Sequence, residues 1–289
     1  MNLFKKIITG MMAAAIALSM VACSAQEENQ SADEKLQIAV SIVPQETFVK
    51  AVAGDLVDVV TMIPSGASAS NYEPTMEEMA AFEDSAVYFS IGVPTEEVNI
   101  MPNVGDVPVV SMVEKVEAVY EQVTFENGSR DPHMWLSPKR VIVMIEAICE
   151  ELSELDPDNA DTYKENADSY CEELTELDNT ITEALSDVEN RAFIVYHPAF
   201  GYLADDYGLT MYSLEEDGKE ATAEHLEEMI DFAKENDIKV IFYQAEIDSS
   251  QSQTFADEIG GETTMLEPLS PDYIDNLINM AEVMAEAME

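Results

Sequence analysis

Between residues 36 and 266, short β-branched runs alternate with amphipathic helical stretches, and this alternation restricts the fold more than any other feature of the chain. It is the pattern of parallel sheets that carry helices on their faces. The runs LQIAVSIV (36–43), VDVVTMI (57–63), AVYFSIG (86–92) and VPVVSM (107–112) predict strands in the first half; AFIVY (192–196), LTMYSL (209–214), IKVIFYQ (238–244) and ETTML (262–266) predict strands in the second. Two α/β units follow. Between them, from Pro157 to Val188, apolar residues recur at helical spacing through Tyr163, Ala167, Tyr170, Leu174, Leu177, Ile181 and Leu185, with no glycine or further proline. A helix of that length spans on the order of 40 Å at 1.5 Å per residue. A coiled-coil dimerisation arm would use the same spacing, but one helix packed along both units accounts for its place midway in the chain, and a monomer is expected. The fold class read from this pattern is α/β, two lobes with mainly parallel sheets joined by one long rigid helix: an N-terminal lobe over 36–156, the connecting helix over 157–190 and a C-terminal lobe over 191–289.

The segment before residue 36 has a different character. Lys5 and Lys6 precede an apolar stretch, Ile7 to Val21, that is short for a membrane-spanning helix and reads as a secretory signal over 1–22. It closes on SMVAC, small residues leading into Cys23, which resembles the bacterial lipobox whose cysteine is lipidated and becomes the mature N-terminus. Residues 23–35 are then a lipidated, polar tether with nothing to pack. The expected location is extracytoplasmic, lipid-anchored to the bacterial cell membrane, with membrane lipid as a partner through the acylated end.

Charge excludes one large class of partner. With 59 Asp and Glu against 13 Lys and Arg the formal net charge is -46, and such a surface repels phosphate backbones, so nucleic-acid binding is not expected. A solubilising exterior explains the acidity without any ion. Cys149 and Cys171 fall at apolar positions of successive helices and out of register with each other once those helices fold back near Pro157, so buried thiols are expected rather than a disulfide.

In α/β sheets ligands bind beyond the carboxyl ends of the strands. His197 follows AFIVY, Glu246 follows IKVIFYQ, Glu267 follows ETTML and Glu73 follows the loop of the second strand. His197, Glu267 and Glu73 each precede a proline, which holds them extended. His133 sits in RDPHMWLSPKR beside the one tryptophan, on a loop that feeds a helix capped by Ser137 and started by Pro138. Two imidazoles with carboxylates suit zinc, manganese or iron. The third histidine, His225, lies within a helical repeat and reads as a surface residue. The chain has no G-x-S-x-G, H-E-x-x-H, Walker or dinucleotide glycine motif, so no catalytic residue is assigned and an enzyme is not expected.

The segments IAVSIVPQETFVKAVAG, MIPSGAS with YEPT, DPHMWLSPKR, FIVYHPAFGYLADDYGL, IDFAKENDIKVIFYQAEI and LEPLSPDYIDNL, in this order over essentially the whole mature chain, resemble the metal-binding lipoproteins of ABC transporters. That cluster includes zinc receptors of the ZnuA type and manganese receptors of the TroA and PsaA type. The resemblance implies capture of a divalent transition metal between two lobes, zinc first and manganese second, and delivery to an ABC transporter permease. By motif position it places metal ligands at His133, His197 and Glu267, and puts Ser70 where the family usually has a histidine. Glu246, Ser70, Asn71 or water then fills the gap. Because a coordinating imidazole is neutral, affinity is expected to fall below about pH 6.5. A surface adhesion or scaffold lipoprotein and, after it, a metallohydrolase are the other classes that fit the residues.

Overall fold

The computed structural model describes residues 35–215, 219–247 and 250–288, and these form one compact unit from Leu36 onward. The signal segment, Cys23 and the tether up to residue 34 lie outside the described residues. All eight strands are present, each at or inside its expected run. β1 (Leu36–Val40), β2 (Val57–Thr61), β3 (Val87–Ser90) and β4 (Val109–Ser111) form one sheet in the order β2-β1-β3-β4. β5 (Ala192–Val195), β6 (Thr210–Ser213), β7 (Val240–Gln244) and β8 (Glu262–Leu266) form the other in the order β6-β5-β7-β8. Every pairing is parallel, and the second sheet repeats the connectivity of the first. Strands end early because the last residues of several expected runs, such as Ser41 and Tyr196, already belong to the loops at the carboxyl edge.

The helices follow from local chemistry. α1 (Val43–Ala53) begins where the Gln45 side chain accepts from the backbone N–H groups of Ser41 and Ile42. α2 (Met76–Glu83) starts with a capping box between Thr75 and Glu78, and α3 (Met112–Glu117) with Ser111 as cap. α4 (Pro138–Leu155) has the expected Ser137 cap, its hydroxyl accepting from the Arg140 N–H. The long helix α5 covers Ala160–Ala184, entered through a 3-10 turn at Pro157–Asn159, and buries Tyr163, Ala167, Tyr170, Leu174, Leu177 and Ile181. It packs on α1, on α4 and on the last helix, α9 (Tyr273–Ala287). The remaining helices are α6 (Gly201–Tyr207), α7 (Ala223–Glu235) and α8 (Ser250–Ile259).

One apolar core runs from Ile38 and Val40 of the first sheet through Tyr163, Leu174 and Ile181 of α5 to Phe193 and Phe242 of the second. Two smaller cores serve the other faces: Ala39, Met62, Phe82 and Tyr88 on the first sheet, Ile194, Leu214, Ile241 and Phe255 on the second. Both cysteines are free and half-buried on the facing helices α4 and α5, and burial pushes the Cys171 thiol up to about 11, with Glu146, Asp168 and Cys149 adding to it. The Cys171 thiol is therefore a poor nucleophile and a poor metal ligand.

Candidate metal centre

The carboxyl edges of the two sheets face a common cleft, and His133 and His197 reach it from different lobes. His133 caps the 3-10 turn Met134–Leu136 that leads into α4; His197 follows β5. Their rings meet edge to face with centroids 5.3 Å apart. Both are nearly enclosed, with side-chain exposures of 9% and 12%.

Each imidazole is held by a carboxylate. The Asp131 Oδ1 atom accepts from the His133 backbone N–H at 2.9 Å and stands 2.7 Å from His133 Nδ1. Glu215, just beyond β6, places Oε2 2.9 Å from His197 Nδ1. A carboxylate on Nδ1 fixes the proton there and leaves the Nε2 lone pair for an ion. Burial pushes the His133 imidazole below its ordinary value, with the Asp131 charge pulling the other way, so the ring is neutral and ready to coordinate at neutral pH.

The other expected residues divide. Glu246 lines the cleft, as do Ser70 and Asn71, which are exposed on its wall. The Glu246 Oε2 atom is buried without a hydrogen-bond partner, and burial, reinforced by the Glu267 charge, raises its carboxyl above the ordinary range. Glu267 itself is exposed at the end of β8, does not line the cleft, and offers its backbone carbonyl to Asn276. Among the described residues, no three His, Cys, Asp or Glu side chains are gathered tightly enough to hold an ion by themselves. His225 corrects one expectation: it is half-buried on the cleft wall, because Thr222 caps α7 and turns its first helical turn toward Ser213, whose carbonyl lies 2.9 Å from His225 Nε2.

Sequence reasoning passed over Asp131 and Glu215 as partners of the imidazoles. Asp131 stood in the quoted D-P-H run, two residues from His133, and Glu215 obeys the same strand-end rule that picked out His197. Behind the site, Trp135 lies 5.2 Å from the His133 ring and donates from Nε1 to the Pro268 carbonyl at 2.8 Å, while the Tyr273 hydroxyl donates to the Trp135 carbonyl at 2.7 Å. The loop after β8 is thereby tied to the turn that carries His133.

The sequence profile of ZnuA, the periplasmic component A of a zinc-uptake complex, matches residues 38–287. The zinc-binding lipoprotein AdcA of Streptococcus pneumoniae strain R6 is 33% identical over 282 residues, which cover 91% of this chain and 55% of AdcA. The chain thus spans about half the length of that relative. The high-affinity zinc uptake system protein ZnuA of Bacillus subtilis strain 168 is 28% identical, with 99% of this chain and 97% of that protein covered. A crystal structure of ZnuA superposes with a TM-score of 0.83 at 32% identity, covering 89% of this chain and all of that one. Fold, profile and relatives agree, and the chain belongs to the ZnuA family of zinc-uptake component A proteins.

Proposed function

We propose that this protein is an extracytoplasmic receptor that captures a divalent transition metal ion, zinc ahead of manganese, between its lobes and delivers it to an ABC permease. The observation that carries the reading is the meeting of two imidazoles from different lobes, each oriented by its own carboxylate. His133 and His197 supply nitrogen through Nε2. Glu246, on the cleft wall, supplies a carboxylate oxygen, and an ion there relieves a buried acceptor that otherwise lacks a partner. Zinc in protein sites is four-coordinate, so a further donor from outside the chain completes the set. Glu267 acts on Glu246 through its charge rather than as a ligand.

Isothermal titration of the mature protein with zinc and manganese tests this. Either His133→Ala or His197→Ala is expected to weaken zinc by about 100-fold or more, in line with the roughly 10- to 100-fold already seen when only a ligand's orienting partner is lost. Unchanged binding in both variants ends the assignment.

The anchor belongs to the same proposal: Cys23 carries lipid, and the mature chain is a monomer with lobes 36–156 and 191–289 about the helix region 157–190. Cys23→Ala is expected to release the protein into the medium of the producing cells; retention in the membrane fraction refutes the anchor.

A further inference from the structure

Thirteen Lys and Arg stand against 59 Asp and Glu in this chain, yet Arg130 and Lys219 both line the cleft that holds the imidazoles. A cation beside a site for a cation opposes capture, so its presence there asks for a ligand that also carries a negative group. Arg130 donates from Nη2 to the Gly92 carbonyl at 2.6 Å and from Nη1 to the Asp131 carbonyl at 3.5 Å, so backbone carbonyls rather than carboxylates hold it. Its charge is left to act on whatever enters.

Size points the same way. The cleft has a volume of about 1550 Å³, which leaves room beside an ion for an organic molecule of the kind that pockets of roughly 300–1,000 Å³ enclose. A bare ion fills little of it. The ligand set named above also stops one short, since His133, His197 and Glu246 give three donors, whereas zinc takes four ligands.

We propose that the ion is bound as a mixed complex with one α-amino acid chelator, of which histidine is the best suited. The amine nitrogen of the chelator fills the position that His133, His197 and Glu246 leave open, its imidazole nitrogen adds a fifth ligand, and its carboxylate pairs with Arg130 or Lys219. Charge selects this class of chelator. A divalent ion with one amino-carboxylate keeps a net positive charge and is drawn to a wall that also carries Glu97, Glu220 and Glu246; a polycarboxylate such as citrate makes the complex negative and is repelled. This inference rests on the metal-receptor reading above.

Calorimetry and native mass spectrometry on the mature chain, with zinc alone, zinc with L-histidine and zinc with citrate at matched free zinc, test it. The expected result is a protein–zinc–histidine species and zinc binding at least tenfold tighter with histidine, whereas citrate gives no ternary species. Lys219→Met is expected to bind zinc alone at least as tightly as wild type and to remove about tenfold of the histidine gain, the worth of one charge-assisted hydrogen bond. If zinc binds and histidine only strips it, or if citrate enhances binding equally, the inference falls and the receptor reading stands. Zinc bound in none of the arms overturns both.

Discussion

Asp131 is the residue on which the site turns. It is fully buried, and while Oδ1 serves His133 twice, Oδ2 has no hydrogen-bond partner. The space beside Oδ2 exists because residue 201 is glycine: a Cβ there would overlap that oxygen. Asp131→Asn is expected to weaken zinc about 10- to 100-fold, because a neutral amide replaces the carboxylate that orients the ring and raises its basicity; equal affinity by titration refutes the role. Gly201→Ala is expected to destabilise by about 1–3 kcal/mol, the ordinary cost of overpacking, measured by denaturant unfolding. Glu96 gives a pH signature. It is buried, accepts from the backbone N–H groups of Ile91 and Gly92 at 2.7 Å and from the Ser41 hydroxyl, and burial raises its carboxyl above 4.5 despite those bonds. A raised folded value means the folded state holds the proton more tightly than the unfolded one. Its contribution is therefore full below about pH 4.5, the unfolded value, and declines as pH rises through the folded one. Unfolding of wild type and Glu96→Gln across this range is expected to show the wild-type advantage shrinking as pH rises; an advantage that grows contradicts the assignment.

At the scale of elements, the start of α4 fastens to α6. Arg140 is 5% exposed and pairs with Asp206, 8% exposed, at 2.8 Å. Ser137 donates to Asp206 as well, and the guanidinium stacks between Tyr120 and Tyr202. Asp206→Ala takes away the closer and more buried of the two carboxylates on this guanidinium, leaving Asp205 at 3.4 Å, and is expected to cost about 3 kcal/mol, the low end for breaking a buried pair. The double variant with Arg140→Met is expected to recover part of that loss, and a double-mutant cycle of denaturant midpoints with no coupling refutes the pairing. Much of this element was legible: the S-P start and the apolar spacing marked α4, and the run from 157 marked α5. Its partner was not, because nothing in Asp205 or Asp206 distinguishes them from the many other acids until α6 is folded against α4.

At the scale of the whole molecule, the decisive feature is the single core threaded through α5. Both sheets share it, so neither lobe can shed its packing without exposing the other's. Calorimetry of the mature chain is expected to show one cooperative transition, and two resolved peaks would refute a shared core. The same continuity opposes a wide hinge, leaving the rims of the cleft as the parts free to adjust. Trp135 reports on them: beside His133 and bonded to Pro268, its emission is expected to change on zinc binding and to lose that response in His133→Ala.

The order of strands and helices, the long helix and the two histidines on loops at element ends were all determined by periodicity and composition, since a strand or helix needs only its own residues to declare its repeat. Which carboxylates meet the imidazoles was decided by the fold alone. Asp131 lies beside His133 in the chain, but Glu215 comes within reach of His197 only because β5 and β6 pair side by side, their carboxyl ends level, with Glu215 N–H donating to the Tyr196 carbonyl at 2.9 Å. Side-chain repeat is a local property; distance across a sheet edge belongs to the packed molecule.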